Sequence, residues 1–378
     1  MRLDAFTERV MRKNKDNKSK LPLTISAQYG LVDQINFFNK VIASTDMSNY
    51  YLLKKGEFAY NKSYSSDYPW GAIKRLDNYE RGALSSLYIC FTPQDNVESD
   101  FILQYFESPK WHKGVSEIAV EGARNHGLLN VSVQDFFHTY HYVPKDKKEQ
   151  IKIAKLLMLL DERIATQSKI IDKLQSLIKG INQRVFKNSG NNYKLGEICD
   201  IRSGYSGSQL LSKKGLKVSR IETISGHKVN LEREGYVAPF ESSENYKLQV
   251  GDILFSNINS VEYIGNTAFI DKDYDLYHGM NLLRLTPNHM VVIPFYLYLL
   301  LNTNRMLNRF KTICNKAVSQ ASINQTELGK TVVQIPPTNT QKQICELYQA
   351  LYTKLETESH TKSLFQNQKQ YLLRQMFI

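Results

Sequence analysis

Pro144-Lys-Asp-Lys-Lys-Glu-Gln150 leads into a run with Ile153, Leu157, Leu160, Ile164, Ile171, Leu174, Ile178, Ile181 and Val185 at its apolar positions, and Gln167 completes the series. The steps alternate four and three residues, which is the heptad seam of one long helix. About 40 residues at about 1.5 Å each would span roughly 60 Å. A stripe that long needs a partner, and the chain supplies one. After Pro336 come Gln341, Ile344, Tyr348, Leu351, Leu355, Phe365, Leu372 and Met376. With a slip of one residue at the proline they align with Gln150, Ile153, Leu157, Leu160, Ile164, Leu174, Ile181 and Val185. Glu358, Lys362 and Lys369 interrupt this second seam. It is therefore expected to turn a rotated face (Leu364, Phe365, Tyr371) inward or to leave its distal part solvated. Gln167 and Glu358 would form a polar layer that fixes register.

Working outward, the segments before the two helices also repeat. Tyr51, Leu53, Gly56 and Glu57 recur as Tyr246, Leu248, Gly251 and Asp252, a tight Gly-acid turn entering a strand. Thr92-Pro93 recurs as Thr286-Pro287. The apolar helices around Phe101–Phe106 and Phe295–Leu300 follow, and then Leu129-Asn130 and Ile323-Asn324. The plan is globular domain, long helix, globular domain, long helix, in an α+β fold. The expected boundaries are 1–142 and 189–334 for the domains, and 143–188 and 335–378 for the helices. Asn188-Ser-Gly-Asn-Asn192 reads as the linker between the halves. Antiparallel helices would bring the C-terminus back to the first domain, a pseudo-circular arrangement. Apolar flanks such as Ile170 and Leu177 are left to dock a partner.

Composition narrows the class. The formal net charge of +12 admits a polyanion partner and equally a merely basic protein. Cys90, Cys199, Cys314 and Cys345 are scattered, without the spacing of a zinc site, and fit a reducing cytoplasm. The first twenty residues are charged and do not read as a signal peptide. The apolar run at 291–301 contains Pro294 and is too short for a membrane span.

Searches for chemistry find little. Gly329-Lys330-Thr331 lacks the first glycine of a P-loop. Ile335-Pro-Pro-Thr338 has the wrong flanks for an amino-methyltransferase motif and reads better as a strand stop and helix start. His138 and His141 lack a third metal ligand. The expectation is a protein without its own catalytic site, metal or cofactor. Base reading needs amides for adenine and Arg or Lys for guanine. The loops after each Gly-acid strand offer Asn61, Lys62, Ser63 and Tyr64 with Lys74 and Arg75, and Ser256, Asn257 and Asn259. Arg124, Asn125, Arg202, Ser203, Tyr205, Arg220 and Gln320 extend the set. Arg9, Arg12, Lys13, Lys15, Lys18 and Lys20 would position phosphates.

The chain resembles the specificity subunits of type I restriction–modification systems. The likeness covers essentially the whole length. It is carried by Pro144…Glu149-Gln150…Ile153-Ala154 with its heptads, by the second copy from Pro336, and by the Tyr-x-Leu-x-x-Gly-acid strands with Gly82-Ala-Leu-Ser85. Gln341-Lys-Gln343 and Cys345 depart from the first copy. The resemblance implies two target-recognition domains, each reading half of an asymmetric bipartite site in double-stranded DNA. The helices would act as spacer and as docking site for two methyltransferase subunits that bind S-adenosylmethionine and methylate adenine. Where restriction is present, motor-nuclease subunits would add ATP and Mg chemistry. Ile153, Leu157, Leu160, Ile164, Ile171, Leu174, Ile344, Tyr348, Leu351, Leu355 and Phe365 are expected to serve spacing and docking. Two other readings stay open: a duplicated coiled-coil adaptor for proteins, and an enzyme with an unrecognised site.

Overall fold

The computed structural model describes residues 1–119, 127–186, 190–317 and 320–377. Two compact units are present. One comprises residues 1–169 and 358–378, the other residues 170–357. Each is completed by parts of both long helices, Lys147–Val185 and Thr338–Gln375.

The first unit is built on a sheet ordered Thr7–Arg9, Ile89–Pro93, Phe58–Asn61 and Ala72–Arg75. The second repeats it with Cys199–Ser203, Leu282–Pro287, Ile253–Ser256 and Thr267–Phe269. Even the register recurs: Thr7 lies opposite Pro93, and Cys199 opposite Pro287. Between the outer and central strands each unit inserts a different excursion. In the first it forms a four-stranded sheet with Arg81–Leu84; in the second it is a two-stranded ribbon, Leu216–Val218 with Gly235–Val237.

The Gly-acid turns are the same device twice. Gly56 and Gly251 have φ of +86° and +100°, a backbone that glycine adopts without strain. Glu57 accepts the Lys54 amide at 2.7 Å, and Asp252 accepts the Gln249 amide at 2.9 Å. Arg12 then neutralises Glu57 at 2.7 Å, whereas Thr286 donates to Asp252 at 2.6 Å. Both acids are structural: they close the turn that starts the central strand. Arg12 is thereby held within the domain.

A second shared device ties each domain to its own helix start. Gln150 accepts the Glu98 amide at 2.7 Å and donates to the Pro144 carbonyl at 2.7 Å. Gln341 accepts the Ile293 amide at 2.8 Å and donates to the Pro336 carbonyl at 2.9 Å. Glu98 and Ile293 are the N-cap residues of the short helices Ser99–Glu107 and Pro294–Leu301, so each glutamine satisfies one orphan group beside that helix start. Gln341 thus takes the place of Gln150 despite the altered motif. The segment expected as a linker ends differently: Asn191–Lys194 is a strand paired with Val332–Ile335.

The two helices run antiparallel within the first unit, where Asp161 meets Lys369 and Gln167 meets Glu358. Ile153, Ala154 and Leu157 share a core with Leu373 and Phe377. In the second unit Ile178 packs with Ile344, Cys345 and Tyr348, and Tyr348 hydrogen-bonds Asn182. The rotated face is not used: Leu364 and Tyr371 are 53% and 63% exposed, and Phe365 stays half-buried in the original seam. Nor is the distal seam left bare. Gln167 donates to the Glu358 carbonyl at 3.1 Å and to its carboxylate. Lys369, with its side chain 13% exposed, pairs with Asp161 at 2.6 Å, and Gln104 donates to the same carboxylate at 2.9 Å. Glu358 and Lys369 are tolerated in the seam because both meet a polar partner on the facing helix.

Cys90, Cys199, Cys314 and Cys345 are free and buried. His138 and His141 do not converge. His141 is buried between the Tyr105 hydroxyl and Thr139 Oγ1, whereas exposed His138 lies 3.9 Å from Asp4.

Two predictions follow from this packing. Gln150→Ala should destabilise the first unit by about 1 kcal/mol, because it strands a half-buried amide and carbonyl; hydrogen exchange should accelerate at the Glu98 amide. Unchanged protection there would contradict the role given to Gln150. The second concerns pH. Burial, with a smaller contribution from the N-terminal ammonium, pushes His141 down to about 4, so the folded state holds it neutral. The unfolded state binds the proton first. Stability is therefore fully present above the usual histidine range and falls as pH drops toward 4, by roughly 3 kcal/mol. His278, pushed down to about 4 chiefly by burial, acts in the same window. Urea midpoints of His141→Gln should fall less steeply across that range than those of the unaltered protein.

Candidate nucleic-acid interface

The strand that follows each Gly-acid turn ends in a hairpin. In the first unit it crosses from Asn61 to Ala72, in the second from Phe255 to Thr267. In both units a second segment braces the hairpin. The Leu129 amide donates to the Lys62 carbonyl at 2.9 Å, and the Ile323 amide donates to the Asn257 carbonyl at 2.8 Å. The bracing segment then enters a short helix capped by Ser132 in one unit and Asn324 in the other. Equivalent hairpins on equivalent supports carry unlike side chains.

In the first hairpin Asn61 uses its carbonyl oxygen to accept the Ser63 amide at 3.0 Å, and the Tyr64 amide donates to Gly127 at 3.1 Å. Lys62 reaches the Val131 carbonyl at 3.4 Å. Ser63 and Tyr64 are exposed. Arg124 and Asn125 lie outside the described residues. In the second, Ile258–Asn259 forms a three-stranded edge with Ala321–Ser322 and Asn315–Lys316. That edge brings Asn259 together with exposed Gln320, whose carbonyl accepts the Ala317 amide at 2.7 Å. Sequence reasoning missed Tyr68 and Tyr263 on the hairpins and Lys316 beside the second; all are exposed. Aromatic residues separated by Ser and Asn at a hairpin tip were the available signal.

Several expected contacts are engaged elsewhere. Lys74 pairs with Glu107 at 2.6 Å, and Arg75 pairs with Asp77 and Asp100, both at 2.7 Å. Together they clamp both ends of the helix Ser99–Glu107 to the sheet, with side chains only 11% and 12% exposed, so neither presents a free head group for base reading. Ser256 is fully buried and accepts from Asn259 at 3.1 Å. Tyr205 stacks on Phe240, with ring centroids 3.9 Å apart, inside a small cluster with Val218 and Tyr277. Arg220 lies beside Glu222 at 3.4 Å, and Arg202 beside Asp200 at 2.6 Å, both still largely solvated. Arg202 and Ser203 lie in the outer strand and not on the hairpin.

The helix residues expected to dock partners divide by face. Ile153, Leu157, Leu160, Ile344 and Tyr348 are buried, and Ile164, Ile171, Leu174, Leu351, Leu355 and Phe365 are half-buried along the same seam. They hold the helices together, because a seam cannot face a partner and its sister helix at once. Outward apolar residues are instead Ile151, Leu156, Leu159 and Leu364 in the first unit, and Leu177 and Leu347 in the second. Ile170 is half-buried. Among the described residues no group of His, Cys, Asp and Glu is placed to hold a metal, and no helix is long and apolar enough to cross a membrane.

The chain is thus a duplicated α+β fold with two hairpin-bearing domains and paired long helices. Residues 189–364 match the model of the type I restriction modification DNA specificity domain. A putative type I restriction enzyme specificity subunit, MjaX of Methanocaldococcus jannaschii, is 38% identical over 180 residues, covering 47% of this chain and 42% of that protein. The type I HindI specificity subunit of Haemophilus influenzae is 27% identical over 133 residues, covering 35% of this chain and 28% of that protein. The matched stretches thus span less than half the length of these curated relatives. The fold is shared along the whole chain with the S subunit of a type I restriction–modification system from M. genitalium. That likeness has a TM-score of 0.58 at 15% identity, covering 100% of this chain and 95% of that one. A chain from a type I complex-assembly structure gives a TM-score of 0.61 at 16% identity, covering 99% and 96%. Residues 189–364 are thus similar to a type I specificity domain, and the whole chain shares its fold with type I S subunits; the adaptor reading is not favoured.

The clamp made by Lys74 and Arg75 gives a prediction. Arg75→Gln should lower thermal stability while leaving any DNA sequence preference as it was. A changed preference with unchanged stability would return Arg75 to the reading surface.

Proposed function

We propose that this chain is the DNA-reading, non-catalytic subunit of a type I restriction–modification complex. Each domain reads one half of an asymmetric bipartite site in double-stranded DNA. The observation that carries this is the pair of equivalent hairpins bearing unlike polar and aromatic residues. Asn61, Lys62, Ser63 and Tyr64 are the readers in the first domain. Asn257, Asn259 and Gln320 serve in the second, with Arg124, Asn125, Ser203 and Arg220 retained as flanking contacts. Lys74, Arg75, Ser256 and Tyr205 are left out, since their side chains are committed within the domain.

The long helices would set the gap between half-sites. Their outward apolar residues Ile151, Leu156, Leu159 and Leu177 would dock two methyltransferase subunits. Those partners would bind S-adenosylmethionine and methylate adenine. Where restriction accompanies methylation, motor-nuclease subunits would use ATP and Mg. Four reduced, buried cysteines suit a cytoplasmic protein acting on cellular DNA.

Co-expression with its methyltransferase, followed by genome-wide mapping of methylated adenine, tests the reading. The expected motif is bipartite and asymmetric. A contiguous motif, or methylation that persists without this chain, would contradict it. Inserting four helical residues after Leu160 adds about 6 Å. It should widen the gap by about two base pairs, at 3.4 Å each, and leave both half-sites unchanged.

A further inference from the structure

The second domain contains an arginine pair that the first lacks. Counting from the shared Pro93 and Pro287 register, Val10 lies beside Cys90 in the first unit, and Arg202 lies opposite Arg284 in the second. Val10 and Cys90 sit in an apolar cluster with Leu53 and Ala59. In the second domain two guanidinium-bearing residues occupy the same cross-strand positions. Like charges directly opposite one another on neighbouring strands oppose pairing. The arrangement is therefore costly unless something negative lies between them.

Both arginines line a cavity of about 320 Å³, together with Ser203, Asn245, Tyr246 and His278. Arg284 forms its floor and is 8% exposed. It donates from Nη1 to the Lys247 carbonyl at 3.2 Å, and its Nε is buried with no partner among the described residues. No carboxylate pairs with it among the described residues, whereas Asp200 offsets Arg202 at the cavity mouth. His278 is 1% exposed and donates from Nε2 to the Leu282 carbonyl at 3.0 Å, and its Nδ1 has no partner among the described residues. Burial keeps this ring neutral, so it adds no charge. Two guanidiniums less one carboxylate leave one positive charge, with hydroxyl and amide donors at the rim. A phosphodiester carries one negative charge and accepts several hydrogen bonds, and the arginine fork matches its oxygens.

We propose that this cavity binds a phosphodiester group of the DNA backbone, held by Arg284 and Arg202. The proposal rests on the DNA-reading function argued above and adds to it a fixed anchor in the second domain. A phosphate contact sets register without reading sequence. Because the first domain has Val10 and Cys90 there, the anchor is one-sided.

The test uses the full chain in two arms. In the first, inorganic phosphate is titrated while the His278 ring is followed by NMR. Phosphate should move the His278 signals and raise its midpoint of protonation. Arg284→Gln and the more solvated Arg202→Gln should abolish the response, and Arg284→Lys should keep part of it. In the second arm, affinity for a mixed-sequence duplex is measured against salt. Each Gln variant should bind more weakly and reduce the log–log salt slope by about 0.9, the value for one lost phosphate contact. Arg202→Gln keeps the test valid if Arg284→Gln melts early. Duplex binding with an unchanged slope in both variants would overturn the proposal and leave the DNA reading standing. Phosphate binding at His278 without any duplex binding by the unaltered chain would overturn the DNA source, and the functional reading with it, leaving a free phosphate ester as occupant.

Discussion

Neither long helix can bury its apolar stripe alone, and neither domain is complete without both helices. The first domain draws Leu373 and Phe377 from the end of the chain into a core with Leu157 and Phe101. The second takes Ile344 and Tyr348 from the start of the same helix, and Ile178 from the other. This exchange makes the antiparallel seam a condition of folding for both units. It also explains why polar residues persist within the seam. Asp161 meets Lys369 and Gln104, and Gln167 meets Glu358, so a slip of the pairing would break these polar contacts where a uniform apolar stripe could slide.

The duplication is legible at the level of single hydrogen bonds, and that separates what the domains share from what they do not. Gly56 and Gly251, Glu57 and Asp252, and Gln150 and Gln341 do the same work in each copy. The hairpin tips, the excursions and the Val10–Cys90 and Arg202–Arg284 pairs differ. Conserved geometry with divergent tips is what two readers of unlike half-sites require, since support and recognition can then change independently.

Much of this was visible in the sequence. Heptad spacing located both helices, and the Gly-acid turns located both central strands, because these signals are local and periodic. Fates set by distant partners were not visible. Lys74 and Arg75 look like solvated base readers until Glu107, Asp77 and Asp100 arrive from residues further along. Tyr205 resembles an exposed loop residue until Phe240 covers it. The charges of Glu358 and Lys369 read as a reason for the second seam to rotate or to stay solvated, and only the facing helix reveals their partners. Arg284 went unnoticed inside the strand Leu282–Pro287. Its cross-strand neighbour Arg202 is 82 residues away in sequence, counted from the two residue numbers.

The central claim is that two independent readers share one chain. Exchanging residues 193–333 for the equivalent domain of a type I specificity subunit, and then mapping methylated adenine, tests it most directly. The account predicts a motif in which one half is replaced and the other half and the gap are kept. A motif changed in both halves, or in neither, would contradict it.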